Sequence, residues 1–558
     1  MERQWWKEAF GYQIYPRTFN DTNDDGVGDI RGIIEKLDYL EDLGINLIWI
    51  CPFYKSPMDD NGYDVSDYYD IDPLFGNLDD CKELIEKAHT KGIRIVADLV
   101  LNHTSDEHPW FIEASQSKEN EYRDYYIWQE GKQDKEPNNW ASFFGGSAWK
   151  KDESTNEYFM KIFSDKMPDL NWENEKLRNE MYKMANWWLD LGIDGFRVDA
   201  VAHIARDTSF KDSKMKLYNG YAPDWGKFSN LPDVHKHLQE FYDKVLRGRD
   251  VMTVGEVGGG ATPKQALDYV GFDQNEFNMV FNFDHNHCYE PLEGDFNQTK
   301  VLELKRTFEK WQTGLYSKGW NAIYWLNHDQ PRVLSRYGHE GECRIESAKM
   351  LANVMYFMWG TPFMYNGEEI GMTNYPFKKM EDFNDVAIHN SLKFALADGE
   401  TEEEYVERNA ENTRDNARTP MQWDDSLNAG FSIATPAMPV NPNYQTVNVK
   451  AQIGDENSIF NYYKKVTRLR TTSQYKDIIC YGDYKQTNRY SKYIYSYERS
   501  FDHQTLVSFS NMDVKAHSIK FDYEIVELLL SNYSDLEIRD GRVYLKPYQS
   551  IVFIKKEI

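Results

Sequence analysis

Hydrophobic and polar positions follow two different periods over the first part of the chain. Short apolar runs at 11–16, 46–51 and 93–100 predict buried strands. Between these runs, apolar residues recur at helical spacing over 30–43 and 78–88, which predicts amphipathic helices. Strands that alternate with helices of this length indicate βαβ units and hence a parallel sheet.

The same alternation continues further along the chain and brings the predicted strands to eight. Helical patterning returns over 177–191, after a long interruption. The later apolar runs that predict strands are 193–198, 251–254, 279–283, 322–326 and 362–365. Because most of the eight strands precede a helical pattern, we predict an α/β fold, a closed (β/α)8 TIM barrel rather than an open sheet.

Two segments depart from this rhythm and predict additional domains. The stretch 104–172 is rich in Trp, Tyr, Asn and Asp and reads as a subdomain inserted after the third strand. From 477 onward, short alternating runs at 493–497, 505–509, 543–545 and 550–554, separated by turns, predict a C-terminal antiparallel β-domain. We therefore expect a catalytic barrel at 1–103 and 173–476, an inserted subdomain at 104–172 and a β-domain at 477–558.

Composition and charge narrow the classes of partner. Hydrophobic residues make up 41% of the 558 residues and charged residues 28%, which excludes an intrinsically disordered chain. Lys and Arg number 64 against 91 Asp and Glu, so the formal net charge is −27. A surface this acidic repels phosphate backbones and anionic membranes. We expect neither a nucleic-acid nor a membrane partner.

Cysteine usage and the chain start bear on location. The five cysteines form no C-x-x-C pair, which is typical of a reducing compartment without a disulfide framework. The first residues, MERQWWK, lack the apolar core of a signal peptide, and no segment approaches the roughly 18 apolar residues of a membrane span. We expect a cytoplasmic protein that is a monomer or a weak homo-oligomer.

Candidate chemistry is found where the predicted strands end. Active residues of TIM barrels lie at the carboxyl ends of the strands, so polar residues at those positions are the first to consider. The third, fourth, fifth and seventh strands each end in such residues. These are Arg197, Asp199, Glu256 and Asp329, together with His103 and His328.

Three carboxylates on one rim suit the cleavage of a glycosidic bond. A retaining glycosidase needs an ionised carboxylate as nucleophile and a protonated carboxyl group as acid, about 5 Å apart. Arg197 precedes Asp199 by two residues on one strand, so both side chains point the same way and the guanidinium is expected to keep Asp199 ionised. Neighbouring carboxylates would raise the pKa of Glu256. Each acid alone is more often a helix cap or a buried ion pair, but three at separate strand ends favour catalysis.

The motifs around these residues resemble the α-amylase family of glycoside hydrolases, family 13, over nearly the whole chain. Within that family, the resemblance is closest to the bacterial oligo-1,6-glucosidase and α-glucosidase group. The matching family motifs are DLVLNH at 98–103, GFRVDAV at 195–201, VGE at 254–256 and LNHD at 326–329. The group motifs include IYPRTF at 14–19, NGYD at 61–64, PDLNWEN at 168–174 and RDNARTPMQW at 414–423.

The resemblance implies a role for each matching residue. It makes Asp199 the nucleophile, Glu256 the acid/base and Asp329 the stabiliser of the transition state. Phe144 and Phe163 fall where aromatic residues wall the pocket in similar enzymes, although packing within the inserted subdomain explains Phe163 equally well. The residues implied to hold the non-reducing-end glucose are Asp60, Tyr63, His103, Arg197, His328 and Arg414.

A second motif, DTNDDGVGD at 21–29, is a candidate cation site. Asp21, Asn23, Asp25 and Asp29 offer oxygen atoms at alternating positions, and Val27 could add its backbone carbonyl, a ligand set that suits a hard cation. The alternative is an Asx-rich turn in which Asp29 caps the next helix. Spacing alone leaves both open. Similar enzymes carry Ca2+ or Mg2+ in the matching loop, so we expect a structural cation and no organic cofactor.

The residue after the implied nucleophile bears on linkage. In similar enzymes valine at this position accompanies α-1,6 cleavage, whereas a small residue such as Ala200 accompanies α-1,4 cleavage. A small side chain leaves room for the leaving sugar, so Ala200 favours maltose-type substrates. Met167 lies where the group has Gln, and the loop 257–260 after Glu256 is nearly without side chains because three of its four residues are glycine. Both features leave the exact linkage preference open.

These inferences predict an exo-acting, retaining α-glucosidase that acts on short α-glucosides, with α-1,4 linkages favoured. Oligo-1,6-glucosidase, trehalose-6-phosphate hydrolase and sucrose-active glucosidase or transglucosidase are the enzymatic alternatives. A phosphorylated substrate would require Lys or Arg beside the leaving sugar. A non-catalytic binding subunit is the alternative from another class, but such relatives lose the catalytic acids, which are all present here.

Overall fold

Eight parallel strands form the central sheet of the molecule. The computed structural model describes residues 2–133, 135–292 and 296–556. In chain order, the barrel strands span Gly11–Ile14, Leu47–Ile50, Arg94–Val100, Gly195–Asp199, Met252–Glu256, Met279–Phe281, Ala322–Tyr324 and Thr361–Tyr365. Most of their residues are buried, as expected for a parallel sheet covered on both faces.

The order of the strands confirms the predicted barrel. The strands pair in sequence order from the first to the sixth, the seventh pairs with the eighth, and the first pairs with the eighth through Gly11 and Phe363. The sixth and seventh strands are joined by a parallel bridge between Val280 and Asn321, which brings the sheet close to closure. All carboxyl ends therefore lie at one end of the barrel.

Helices follow the barrel strands and cover the outside of the sheet. The region predicted as one helix at 30–43 is two helices separated at Lys36. In the described ranges 2–133, 135–292 and 296–556, no helix is both long enough and apolar enough to cross a membrane. The α-helices span Trp5–Glu8, Ile30–Glu35, Leu37–Leu43, Leu78–Thr90, Pro109–Gln116, Glu175–Leu191, Asp233–Phe241, Pro263–Val270, Val301–Leu315, Val333–Tyr337, Arg344–Met355, Val386–Ala397, Glu402–Ala410, Val449–Ile453, Ile459–Thr471 and Lys476–Tyr481.

The segment predicted as an insertion after the third strand builds a small sheet of its own. Its antiparallel strands are Trp128–Gln129, Trp149–Asp152 and Glu157–Met160. A separate apolar core beneath them includes Trp140 and Trp149, and Phe228 from the loop after the fourth barrel strand completes it. The insertion and this later loop are therefore packed together beside the carboxyl end of the barrel.

The C-terminal region is antiparallel, as predicted, but begins later than expected. The predicted boundary at Asp477 falls inside the helix Lys476–Tyr481. The strands form a five-stranded and a three-stranded sheet, and sequence patterning missed four of them, among them Ile525–Ser531. Their bounds are Lys485–Thr487, Ile494–Phe501, Gln504–Asn511, His517–Lys520, Ile525–Ser531, Glu537–Arg539, Arg542–Leu545 and Ser550–Lys555.

Candidate active site

A cavity of about 340 Å³ opens at the carboxyl end of the barrel. Its volume is at the low end of the range for small-molecule sites, as suits one or two sugar rings. Three carboxylates, Asp199, Glu256 and Asp329, lie in its wall, as the strand ends predicted. The other described side chains in the wall are Asp60, Tyr63, His103, Phe143, Phe144, Phe163, Met167, Ala200, His203, Phe283 and Arg414, with Gly258 and Gly259.

Arg197 lies under this cavity and joins three acidic side chains. Its guanidinium is fully buried. One terminal nitrogen donates to Asp98 Oδ1 and to Asp199 Oδ1, each at 2.8 Å, and the other donates to Glu256 Oε2 at 2.5 Å. The carboxyl groups of Asp199 and Glu256 are thus held against two nitrogens of one cation, which fixes their spacing.

The electrostatics of this pair differ from the expectation that Arg197 keeps Asp199 ionised. Burial raises the pKa of Asp199 well above its ordinary value, Arg197 opposes the shift, and Glu256 adds to it. The negative charge of Glu256 thus opposes ionisation of Asp199, as expected for two carboxyl groups bound to one buried cation. A pair that holds one proton has one neutral and one ionised carboxyl group, which is what a retaining glycosidase requires.

The third carboxylate, Asp329, sits in a strongly positive environment. Arg418 donates to its Oδ1 at 2.7 Å and Arg414 at 3.2 Å. Burial favours the neutral form, but the two guanidinium groups outweigh it and lower the pKa of Asp329. Asp329 is therefore a permanent anion at the cavity wall.

Arg414 also links the residues implied to hold a terminal glucose. It donates to Asp60 Oδ1 at 3.1 Å and makes two bonds to Asp385, at 2.9 and 2.5 Å. Asp385 is 3% exposed and was missed by the sequence analysis, because it lies in an irregular segment far from the barrel strands. Its charge holds the Arg414 guanidinium against Asp60 and Asp329.

Two buried histidines are neutral: His103 in the cavity wall and His328, which lies against Tyr63. Burial lowers the pKa of His103 and of His328 to about 3 in each case. The Asn102 amide lies 3.1 Å from His103 Nδ1, so this nitrogen accepts and Nε2 carries the proton. His328 stacks on Tyr63 with ring centroids 5.3 Å apart, and its Nε2 lies 2.8 Å from the Tyr63 hydroxyl. The Nε2 of His103 has no hydrogen-bond partner among the described residues and can donate to a sugar hydroxyl. Both ring nitrogens of His328 are already in contact, Nδ1 with Gln13 and Nε2 with Tyr63, so His328 orients Tyr63.

A buried network behind His103 was also missed. Arg206 donates to Asn102 Oδ1 at 2.7 Å and to Asp169 Oδ2 at 2.9 Å. Asn102 in turn donates to Asp169 Oδ1 at 3.1 Å. The network ties the third barrel strand, the inserted segment and the loop after the fourth strand together, and it orients the amide that contacts His103. Side-chain contacts between such distant segments leave no periodic signal in the sequence.

The aromatic wall includes both rings that the sequence singled out. Phe163 packs edge-on against His103 at 5.3 Å and against Phe144 at 5.5 Å. Phe163 lines the cavity and also packs against both the main core and the core of the insertion, so the two interpretations of this residue hold together. Phe143, which was not predicted, stacks on Phe163 at 5.4 Å.

The candidate cation loop lies apart from the cavity. Its side chains largely bind the loop's own backbone: Asp21 accepts from the amides of Asn23, Asp24 and Gly26. Asp29 caps the helix Ile30–Glu35 by accepting from Gly32, which matches the alternative interpretation of that residue. In the described part of the chain, no three His, Cys, Asp or Glu side chains group as a metal site. The donor atoms have the chemistry of a hard-cation site, but their present arrangement is that of a turn.

Comparison with known proteins identifies the family to which this chain belongs. Residues 13–482 match the family model described as alpha amylase, catalytic domain. The oligo-1,6-glucosidase of Parageobacillus thermoglucosidasius is 49% identical over 561 residues, which cover 99% of each chain. That of Bacillus cereus is 46% identical, covering 99% of this chain and 100% of that one. The crystal structure of Bacillus licheniformis trehalose-6-phosphate hydrolase superposes with a TM-score of 0.91 at 41% identity, covering 100% of each chain.

Proposed function

Since the chain belongs to the α-amylase family of glycoside hydrolases, we propose that it is an exo-acting, retaining α-glucosidase that favours short α-1,4-linked glucosides. The observation that carries the proposal is the pairing of Asp199 and Glu256 on the Arg197 guanidinium, in the wall of a small cavity. The cavity has room for the terminal glucose and one further ring, which suits release of single glucose units from a chain end.

The proposed chemistry uses the two paired carboxyl groups in turn. The Asp199 carboxylate attacks the anomeric carbon while Glu256 gives its proton to the departing glycosidic oxygen, so the bond to the leaving sugar breaks as an ester to Asp199 forms. Glu256 then takes a proton from water, which attacks the ester and releases glucose with its original configuration. Asp329, an anion in this environment, supports the positive charge of the oxocarbenium-like transition state.

The basic residues of the cavity bear on the phosphorylated alternative. Among the described side chains that line it, Arg414 is the only Lys or Arg, and it is already bonded to Asp60, Asp329 and Asp385. A phosphate on the leaving sugar would need a cation of its own. This charge balance favours neutral leaving sugars over trehalose 6-phosphate. The similar solved structure from Bacillus licheniformis is nevertheless named trehalose-6-phosphate hydrolase.

The small Ala200 side chain supports an α-1,4 preference. Ala200 lies in the cavity wall next to Asp199, and its amide donates to Glu256 Oε2 at 3.2 Å. Its backbone is left-handed, with φ 46° and ψ 28°. Added bulk here would both narrow the space for the leaving sugar and strain the backbone, since β-branched residues tolerate this conformation poorly. The relatives named oligo-1,6-glucosidase make α-1,6 cleavage the second candidate.

Initial rates of cleavage by the purified protein test the proposal. We expect kcat/KM for maltose to exceed that for isomaltose and sucrose, with trehalose 6-phosphate slowest. In the Ala200→Val variant, we expect the maltose-to-isomaltose ratio to fall by about 10-fold or more, the scale by which a methylene-sized change alters pocket discrimination. Ala200→Gly is the matched control because it keeps the space and relieves the backbone, so it should preserve the wild-type ratio.

Faster isomaltose cleavage by the wild type would instead show that residue 200 does not set linkage in this chain. Met167, which is buried in the cavity wall, and the glycines Gly258 and Gly259 would then be the next positions to exchange. Inertness on all four sugars would contradict the proposed function itself and return attention to a binding subunit.

We also propose that the loop 21–29 binds a structural Ca2+ or Mg2+. Asp21, Asn23, Asp25 and the Val27 carbonyl supply oxygen atoms of the right kind, and Asp29 would reach the ion only by sharing its helix-capping role. Calcium in excess of its Kd should raise the melting temperature relative to EDTA, because an ion that binds only the folded state stabilises it. Asp21→Ala should abolish that rise; an equal response in both proteins would place the ion elsewhere.

Cysteine usage bears on the location of the protein. All five cysteines are free, the pattern of a reducing compartment, and we propose a cytoplasmic location on that basis. The expectation of a monomer or weak homo-oligomer stays a prediction. A small neutral sugar remains the proposed partner of the site.

A further inference from the structure

Gln13 is a buried polar side chain in the first barrel strand, Gly11–Ile14. It is 1% exposed, and the other residues of the strand are buried as well. Burying an amide is costly unless its hydrogen-bonding groups find partners. The amide nitrogen of Gln13 lies 2.9 Å from His328 Nδ1 and 3.2 Å from Cys51 Sγ. The first strand therefore reaches the histidine that orients Tyr63.

The other ring nitrogen of His328 faces two oxygen atoms. Nε2 lies 2.8 Å from the Tyr63 hydroxyl and 3.1 Å from Asp329 Oδ2. The Tyr63 hydroxyl in turn donates to Asp98 Oδ2 at 3.0 Å. Because Asp329 is an anion that only accepts hydrogen bonds, Nε2 must carry the ring hydrogen; a bare Nε2 would place its lone pair against the carboxylate.

The contacts on both sides of the His328 ring select the same tautomer. Burial lowers the pKa of His328 to about 3, so the imidazole is neutral and carries one ring hydrogen. If that hydrogen is on Nε2, then Nδ1 is an acceptor and needs a donor. The Gln13 amide nitrogen is the donor that contacts it. Without this donor, the hydrogen is free to move to Nδ1.

We propose that Gln13 is a positioning residue of the catalytic site: it holds His328 as the tautomer protonated on Nε2, whose hydrogen points to Asp329 and Tyr63. The proposal rests on the proposed function, in which Asp329 supports the transition state. Gln13 is not among the described residues that line the cavity, so it acts through His328. Its loss should therefore weaken transition-state stabilisation more than substrate binding.

Gln13→Met removes the donor and nearly conserves the volume of the side chain. We expect kcat for the faster of maltose and isomaltose to fall by about 10-fold, the equivalent of one hydrogen bond, with KM changed by less than about 2-fold. Gln312→Met is the matched control, since Gln312 is also 1% exposed but bonds to the backbone of Trp359, on the outside of the barrel. It should lower the melting temperature at least as much and leave kcat unchanged.

Gln13→Glu distinguishes control of the tautomer from packing. At low pH the introduced carboxyl group and His328 Nδ1 share a proton, so Nε2 keeps its hydrogen. At higher pH the pair loses one proton; the carboxylate then accepts from Nδ1, and Nε2 is bare. We expect kcat relative to the wild type to be at least about 3-fold lower at pH 8 than at pH 5, whereas the deficit of Gln13→Met should not change with pH. The other titratable and charged groups around this pair, which all variants share, are Tyr15, Cys51, Tyr63, Asp98, Arg197, Asp329, Tyr365, Arg414 and Arg418.

The tautomer is also observable by nuclear magnetic resonance of the wild type, with histidine labelled at its ring nitrogens. The signals of His328 are those lost in His328→Gln, and we expect a protonated Nε2 and a bare Nδ1. The opposite tautomer, wild-type kcat in Gln13→Met, or an equal kcat loss in Gln312→Met would overturn the proposal. If Gln13→Met does not fold, the spectrum and the pH dependence of Gln13→Glu decide. A wild type inert on both disaccharides would refute the proposed function, whereas the tautomer is measured without substrate.

Discussion

The Asp199→Asn variant is expected to lose about 10⁴-fold or more of the wild-type kcat/KM for maltose, the scale seen when a catalytic nucleophile is removed. An amide of the same shape keeps the packing around Arg197 but cannot form the ester on which the proposed mechanism depends. Glucose release under first-order conditions measures the loss. The melting temperature should stay within a few degrees of the wild type, because the substitution conserves volume.

The Glu256→Gln variant distinguishes the two carboxyl groups. With 4-nitrophenyl α-D-glucopyranoside the leaving group needs no proton, so the ester should still form on Asp199 but break down slowly. A burst of nitrophenol, and one glucosyl unit found by mass spectrometry on the peptide that contains Asp199, are the expected signals. A glucosyl unit on another residue, or undiminished maltose cleavage by Asp199→Asn, would contradict the assignment.

Replacement of Arg197 by leucine should be the most destabilising single change at the site. It would leave Asp98, Asp199 and Glu256 without the cation that each of them contacts. Removing one partner of a buried ion pair costs about 3–5 kcal/mol of the free energy of unfolding. Urea denaturation followed by tryptophan fluorescence measures the loss. Arg247→Leu is the control, because that arginine forms an exposed pair with Asp243 and its loss should change the free energy of unfolding little.

The deficit of Arg197→Leu should also depend on pH. Burial already raises the pKa of Asp98 to about 6 although Arg197 opposes the shift, so loss of the cation would raise it further. An acid whose pKa is raised in the folded state is neutral there at low pH and costs stability once it ionises at higher pH. The deficit should therefore be smaller at pH 5 than at pH 8. A deficit that does not change with pH would assign the effect to lost packing alone.

The strand ends show how far sequence reasoning reaches into this fold. The eight barrel strands follow from short apolar runs, and the carboxyl end of each run identifies the residues that the barrel brings together. Asp199, Glu256 and Asp329 meet for this reason, although Asp199 ends the fourth strand and Asp329 lies in the loop after the seventh. Because a barrel brings all the carboxyl ends of its strands to one end, the pattern of strands along the chain predicts which residues lie close together.

The residues that sequence reasoning missed come from irregular segments. Asp385 and Arg206 reach the site from loops without periodicity, and their partners lie far away in the chain. The edge strand Ile525–Ser531 escaped detection for another reason. Its pairing with Ser550–Lys555 has two register shifts, so its apolar residues do not alternate with polar ones. Local pattern carries little information where side-chain contacts or bulges decide the structure.

The shared guanidinium of Arg197 has a consequence for how charge moves during the proposed reaction. When Asp199 becomes an ester it loses its negative charge, and in the same step Glu256 gains one by releasing its proton. The sum of the charges that face Arg197 is therefore identical before and after the bond breaks. In a medium of low polarisability, creating or losing a net charge is costly. Here the catalytic cycle only moves one unit of negative charge from the carboxyl group on one nitrogen of the guanidinium to the carboxyl group on the other, so the protein has little to reorganise between the two half-reactions.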